Sequence, residues 1–265
     1  MNQQGPPVQI GVYRVLSEFD TNGAIATVYV VEDDQGEQFA LKRLNELWTS
    51  FPSLRNEFTD EASRLGELDT PHLINGYGLE FETGVPFFTM ELATETLQDS
   101  LRRHPRLPTE EVLKVLEAVS SAIDFLHAKD LVHQDVKPSN IFRFFVDGGW
   151  VTKLGDLGLT RNFEFTLTRA GSAPYAVVEV LDGRTASYPP DIRRRADIYS
   201  LAVVAAELLT GGYVSFHFRT PGAWVGDLPV VLTEILLRGM HHEPAQRHAS
   251  AGEFVAELRR VLVGS

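Results

Sequence analysis

The chain has 265 residues, 43% of them apolar and 10% aromatic, which is enough to bury a substantial core as one large domain or two lobes and excludes a disordered or fibrous protein. It contains no cysteine, so disulfide scaffolds, thiolate nucleophiles and Cys-ligated zinc or iron–sulfur centres are ruled out together. A formal net charge of −12 argues against non-specific binding to nucleic acid or an anionic membrane, and a local basic patch such as Arg193-Arg194-Arg195 reads as a solvated loop before it reads as a recruitment site. The longest strongly apolar stretch, Ile198 to Leu209, is interrupted by Ser200 and Glu207 and is too short to cross a bilayer. The opening Met-Asn-Gln-Gln-Gly-Pro-Pro lacks the basic and apolar regions of a signal peptide, so a soluble, cytoplasmic protein is expected.

In chain order, the first ninety residues read mainly as strands, with short β-branched and aromatic runs separated by turn signals. Val28 to Glu32 and Glu37 to Lys42 form a hairpin around Asp33-Asp34-Gln35-Gly36. Leu54, Phe58, Glu61, Ala62 and Leu65 recur at helical spacing, and Asp69-Thr70-Pro71 ends that helix. The sheet resumes at Phe87-Phe88-Thr89-Met90. From Leu97 the character becomes helical: Thr109 reads as an N-cap ahead of Glu110 and Glu111, and Val112, Val115, Leu116, Val119, Ile123 and Leu126 make an apolar stripe. Ile198 to Thr210 reads as a mostly buried helix, and two more follow at about Val230 to Met240 and Ala251 to Val263, with a polar turn at Glu243-Pro244 between them. No internal repeat or low-complexity segment occurs. The reading is a small sheet-rich N-terminal lobe joined near Glu91 to Thr96 to a larger helical one.

Within the helical half lies His133-Gln134-Asp135-Val136-Lys137-Pro138-Ser139-Asn140, with Asp156-Leu157-Gly158 sixteen residues after Asn140. In this order and spacing the sequence resembles the catalytic and magnesium-binding loops of the eukaryotic-like Ser/Thr protein kinase family. The resemblance extends over nearly the whole chain. Ala40-Leu41-Lys42 is similar to the strand that carries the phosphate-binding lysine, and Glu61 to the helix glutamate that pairs with it. Gly171 to Glu179 is similar to the end of an activation segment, Asp197 to Leu201 to the central helix of the large lobe, and Arg247 to the partner of Glu179. The fold implied is α+β: a bilobal protein-kinase-like fold, with a small antiparallel N-lobe sheet and one helix (about 10–92) and a larger, mainly helical C-lobe (about 93–265), the whole of 1–265 being one catalytic domain.

The chemistry of those residue types fits phosphoryl transfer, which needs a clamp for a charged nucleotide, cations to neutralise developing charge and an acceptor hydroxyl held in line. Lys42 supplies positive charge to the phosphates and Glu61 orients it; Asn140 and Asp156 are hard oxygen ligands suited to Mg²⁺. Asp135 orients the acceptor hydroxyl, and Lys137 points a second cation at the transferring phosphate. The resemblance further implies an ATP pocket formed by Gly23, Val28, Ala40, Met90 and Phe142, with adenine held by backbone groups of Glu91 and Ala93. His133 is read as structural, and His241-His242 as a polar turn.

Four features depart from the pattern. Of the three glycines in the family's phosphate loop only Gly23 is present, Thr21 and Ala26 standing at the other two positions, which implies nucleotide binding weaker by about 1 kcal/mol per lost glycine. Gln134 replaces the arginine that gathers an activation-segment phosphate, so phosphorylation at Thr160, Thr166 or Thr168 is not expected to switch the enzyme through that latch. Leu157 and Val177-Val178-Glu179 replace a phenylalanine and Ala-Pro-Glu. Arg143, next to the adenine-floor residue Phe142, has no assigned role. Lys137 and Ser172 resemble the Ser/Thr-specific pattern, implying a protein partner with a Ser or Thr acceptor and ATP and Mg²⁺ as cofactors; the net charge argues against a nucleic acid or membrane partner, and the sequence leaves oligomeric state open. The alternatives are a pseudokinase scaffold that binds nucleotide and partners without phosphotransfer, favoured by the eroded glycine loop and missing arginine, and a small-molecule phosphotransferase.

Overall fold

The computed structural model describes residues 9–19, 25–157, 175, 189–211 and 228–264. The chain forms two compact units, Met1–Thr94 and Glu95–Ser265.

The first unit is an antiparallel sheet with one α-helix. Its strands are β1 (Gln9–Ile10), β2 (Tyr13–Glu18), β3 (Ala26–Glu32), β4 (Gln38–Leu44), β5 (Gly76–Glu82) and β6 (Val85–Glu91), in the order β1-β2-β3-β4-β6-β5. The expected hairpin is β3–β4, in register from Ala26↔Leu44 to Glu32↔Gln38, and Asp33 Oδ1 closes its turn by accepting from the N–H groups of Gln35 and Glu37. Alternation sorts the side chains. Tyr29, Val31, Leu41 and Phe87 cluster with Ile10 on one face. Helix α1 (Pro52–Glu67) meets Phe88 of the other face through Phe58, ring centroids 5.1 Å apart, and buries the Leu54, Phe58, Glu61, Ala62 and Leu65 stripe read from the spacing. β5 was not anticipated, because Gly76-Tyr77-Gly78 breaks its alternation and its burial pattern lacks a clean period.

The second unit opens with β7 (Glu95–Thr96) and α2 (Leu97–Arg103), whose start is a reciprocal capping box between Thr96 and Asp99. Then come α3 (Thr109–Ala128), β8 (Ile141–Val146), β9 (Gly149–Leu154), α4 (Pro190–Thr210), α5 (Val230–Gly239) and α6 (Ala251–Val263). Pro108, not Thr109, occupies the cap of α3: its fixed φ of −56° lets its carbonyl accept from Val112, and Thr109 is already helical with Glu110 and Glu111 in the first turn. Helix α4 begins at Pro190, well before the expected Ile198. The Arg193-Arg194-Arg195 patch therefore lies on a helix and not in a solvated loop, and it is tied down: Arg194 pairs with Asp130, while Arg195 donates to the carbonyls of Pro244 and Arg247 at 3.2 and 2.6 Å. The β8–β9 hairpin was also missed, although Asp147-Gly148 is its turn, both residues having positive φ (51° and 79°) as a type I′ turn requires.

The core of this unit is α4, whose Ala196, Ile198, Leu201 and Ala202 to Ala206 are buried, against α3, α5 and α6. Asp124 of α3 accepts from the first N–H groups of α6, those of Ala251 and Gly252, at 3.0 and 2.9 Å, and Ser250 caps the same turn. No helix among the described residues is long and apolar enough to cross a membrane. At Gly239, α5 packs tightly against α4 and α6, since a Cβ there would stand 2.7 Å from Ala202 Cβ and 3.2 Å from the Phe254 ring. Gly239→Val is therefore predicted to destabilise the protein by about 2 kcal/mol through overpacking, read as a lower urea midpoint with an unchanged slope.

Candidate active site

In the first unit, β4 alternation puts Ala40 and Lys42 on one face, and the ladders set Val28 opposite Lys42, Met90 opposite Ala40 and Phe88 opposite Lys42. Val28, Ala40, Lys42 and Met90 thus share one face of the sheet. Ala40 and Met90 are buried at its centre. Lys42 Nζ donates to both carboxylate oxygens of Glu61, at 2.7 and 2.9 Å, and lies 5.9 Å from the centroid of the Phe88 ring. Glu61 is only 4% exposed, which makes this a desolvated pair whose two charges depend on each other. At the end of β6 the Glu91 N–H donates to Asn75 O at 3.1 Å while Asn75 N–H donates to the Glu91 carboxylate at 3.0 Å. The Glu91 N–H is thereby committed, and Ala93 follows as a half-buried residue.

In the second unit, the loop between α3 and β8 carries Asp135, Lys137 and Asn140. Lys137 Nζ donates to Asp135 Oδ2 at 2.7 Å, and Asn140 Nδ2 donates to the same oxygen at 2.9 Å and to the Asp135 carbonyl at 3.0 Å. A 3₁₀ turn, Pro138–Asn140, brings Asn140 back over Asp135, with Pro138 starting the turn because it lacks an N–H. Gly155 N–H donates to Asn140 O at 3.0 Å, extending the β8–β9 ladder and setting Asp156 beside Asn140. Asp156 has φ 62°, a left-handed conformation that an aspartate tolerates better than most residues. Phe142 is half-buried on β8, paired with Thr96, and Leu157 is fully buried.

The loop backbone is held from behind by one residue whose role the spacing did not reveal. Asp197 of α4, fully buried, accepts from His133 N–H at 2.8 Å, Gln134 N–H at 2.6 Å and His127 Nε2 at 2.8 Å. Burial works to raise its carboxyl, but the hydrogen bond from His127, the electrostatic pull of the two imidazoles and the His133 N–H outweigh it and hold the group below the usual carboxylate range. His133, read as structural, is so: Nδ1 accepts from Asp135 N–H at 3.3 Å and Nε2 donates to Gly155 O at 3.0 Å, linking the Asp135 loop to the Asp156 loop. Gln134 sits at φ 67° with its side chain buried and its Oε1 without a hydrogen-bond partner among the described residues. The unassigned Arg143 is buried in an ion-pair cluster with Glu95, Ser100 and Glu111. His241 and His242 stack on each other at 4.5 Å, and His241 Nδ1 accepts from Glu243 N–H, as a polar turn. No cluster of three or more His, Cys, Asp or Glu suited to a metal occurs among the described residues. Gly23, with Thr21, Gly158, Thr160, Thr166, Thr168, Gly171, Ser172, Val177, Val178 and Glu179, lies outside the described residues.

A family model for the protein kinase domain matches residues 21–222, and the chain belongs to that family. It is 28% identical over 280 residues to the serine/threonine-protein kinase PknD of Mycobacterium tuberculosis, covering 97% of this chain and 40% of that protein. It is likewise 28% identical over 271 residues to PknE of Mycobacterium bovis, covering 96% of this chain and 47% of that protein. The chain therefore spans less than half the length of these relatives. The crystal structure of the Mycobacterium tuberculosis PknI kinase domain superposes with a TM-score of 0.72 at 26% identity over 96% of this chain and 97% of that one, so the α+β protein-kinase fold expected from the motifs is the fold of this chain.

Because the folded Asp197 carboxyl is depressed, its contribution to stability is fully present above the unfolded value of about 3.9 and is lost as pH falls through the folded value. Asp197→Asn is predicted to lower stability at pH 7 by about 3 kcal/mol, since an amide cannot accept from all three donors, and to flatten the decline below about pH 4, both read from urea midpoints between acid and neutral pH.

Proposed function

We propose that this chain is a Ser/Thr protein kinase catalytic domain, acting in the cytoplasm on ATP and a protein substrate. The observation that carries the reading is the convergence of Lys137 Nζ and Asn140 Nδ2 on Asp135 Oδ2, in a loop pinned by Asp197. With that oxygen held, the Asp135 carboxylate is oriented to accept a hydrogen bond from an acceptor hydroxyl and to take its proton as the oxygen bonds to the γ-phosphorus and the bond to the β-phosphate oxygen breaks, ADP leaving. Lys137 stands beside Asp135 as a cation for charge that builds on the transferring group. Lys42, fixed by Glu61, is the ammonium for the nucleotide phosphates, and Val28, Ala40 and Met90 offer adenine an apolar sheet face.

Mg²⁺ fits the donor set. With Nδ2 of Asn140 turned to Asp135, its amide oxygen is the ligating end, and Asp156, which follows the Gly155 whose N–H donates to Asn140 O, would add a carboxylate, both hard oxygens. Bound there, the ion would neutralise phosphate charge. Gln134 has no positive charge to gather a phosphate, and its main chain is already committed to Asp197, which supports activation without the arginine latch. The retention of Lys42, Glu61, Asp135, Lys137, Asn140 and Asp156 together favours an enzyme over a scaffold, which has no chemical use for the set.

The test is incubation of the purified chain with magnesium and γ-labelled ATP, alone and with a generic protein substrate. Label is expected on Ser or Thr, reduced at least about a hundredfold in Asp135→Asn, while thermal stabilisation by Mg–ATP persists in that variant. Lys42→Met is expected to weaken that stabilisation. Nucleotide binding without any labelling by the wild type would replace this reading with the pseudokinase.

A further inference from the structure

Arg143 is buried to 1% exposure and heads the largest fully buried side chains. Its Nη1 donates to Ser100 Oγ at 2.6 Å and lies 3.5 Å from Glu95 Oε1; its Nη2 pairs with Glu111, and the guanidinium stands 4.3 Å from the centroid of the Trp150 ring. One cation thus ties β7, α2, the first turn of α3 and β9 to β8. Stability alone is a poor account of it. A buried ion pair gives up hydration that apolar packing does not, and Arg143 Nε is buried with no acceptor among the described residues, so the fork is not fully satisfied even here. What the cluster supplies in place of stability is geometry, because a planar guanidinium bonded to Glu111 and Ser100, with Glu95 3.5 Å away, admits few arrangements.

The strand it fixes is the one that matters to the nucleotide. In the β7–β8 ladder Glu95 is opposite Arg143 and Thr96 opposite Phe142. Successive side chains of a strand point to opposite faces, so Arg143 locks β8 from one side while Phe142 is presented on the other. Upstream on the same chain stretch is the Pro138–Asn140 turn, and Glu95 follows Glu91 and Ala93 closely in sequence. A cavity of about 440 Å³, lined by Glu111, Val115, Arg143 and Trp150 among others, keeps the Glu111 end of the cluster partly wet.

We infer that Arg143 is a positioning residue for adenine: through Glu95, Ser100 and Glu111 it holds β8 so that Phe142 forms the floor of the nucleotide site. This rests on the kinase reading above. The experiment compares the full chain with Arg143→Leu, Arg143→Lys and Glu111→Gln, measuring Mg–ATP affinity by calorimetry, KM for ATP and kcat, and thermal unfolding. Arg143→Leu leaves Glu111 and Ser100 without their partner and is expected to melt below the wild type, while in the folded protein Kd and KM for ATP rise about tenfold and kcat changes less than about twofold. Arg143→Lys keeps the charge but loses the fork and falls between; Glu111→Gln shifts affinity in the same direction. If Arg143→Leu does not fold, Glu111→Gln and Ser100→Ala carry the same readout. Unchanged nucleotide affinity across the folded variants, or a loss in kcat with KM unmoved, overturns the inference. A wild type that binds Mg–ATP without transferring phosphate removes the kinase reading and leaves the affinity comparison to decide this one.

Discussion

A carboxylate at the centre of a helix, fully buried, is costly unless every lone pair finds a donor. Asp197 meets that condition through the N–H groups of His133 and Gln134 and the imidazole of His127. Those bonds reach an irregular stretch of backbone that has no ladder or helix of its own to satisfy it. Gln134, at φ 67°, is held in a conformation that glutamine seldom adopts. The strain is tolerable because Asp197 takes the N–H of the same residue. From that point the geometry of Asp135 follows: His133 accepts from its N–H, Asn140 donates to its carbonyl, and its Oδ2 receives Lys137 and Asn140.

The polar groups of the second unit follow the same rule of buried charge matched by fixed donors or acceptors. Arg247 donates to the carbonyls of His241, His242 and Arg195, and Arg195 returns donors to the Arg247 carbonyl, so two arginines satisfy the backbone of the Pro244–Gln246 turn region. Tyr175 donates to Glu207 at 2.6 Å, and burial, opposed by that bond, raises the Glu207 carboxyl. Such contacts have strict geometry, unlike the apolar packing of α3, α4, α5 and α6, which tolerates exchange of one hydrophobe for another of like volume. Position is specified by the polar set and cohesion by the apolar set.

In the first unit, the Lys42–Glu61 pair is the counterpart. Its two members come from a strand and a helix that are packed by Phe58 on Phe88, so an apolar contact sets the distance and the ion pair sets the direction of the ammonium. Loss of either charge would leave the other desolvated, with side-chain exposures of 18% for Lys42 and 5% for Glu61.

Much of this was legible beforehand. The α1 and α3 stripes, the β3–β4 hairpin and the last two helices follow from periodicity and turn chemistry, which are local properties of the chain. Asp135, Lys137 and Asn140 stood out as a motif by residue type and short spacing on one loop, and the structure brings the three together. β5 was hidden by its glycines and the start of α4 by Pro189-Pro190. Arg143 looked anomalous in sequence because its partners, Glu95, Ser100 and Glu111, are distant along the chain and carry no shared pattern. The opening reading of a protein-kinase domain with intact Lys42, Glu61, Asp135, Lys137, Asn140 and Asp156 was therefore determined by the sequence alone, through residue type and order. Only the tertiary structure decided that Asp197 holds the loop and that Arg143 is a buried tie, because hydrogen bonds between residues far apart in the chain depend on where the fold brings them.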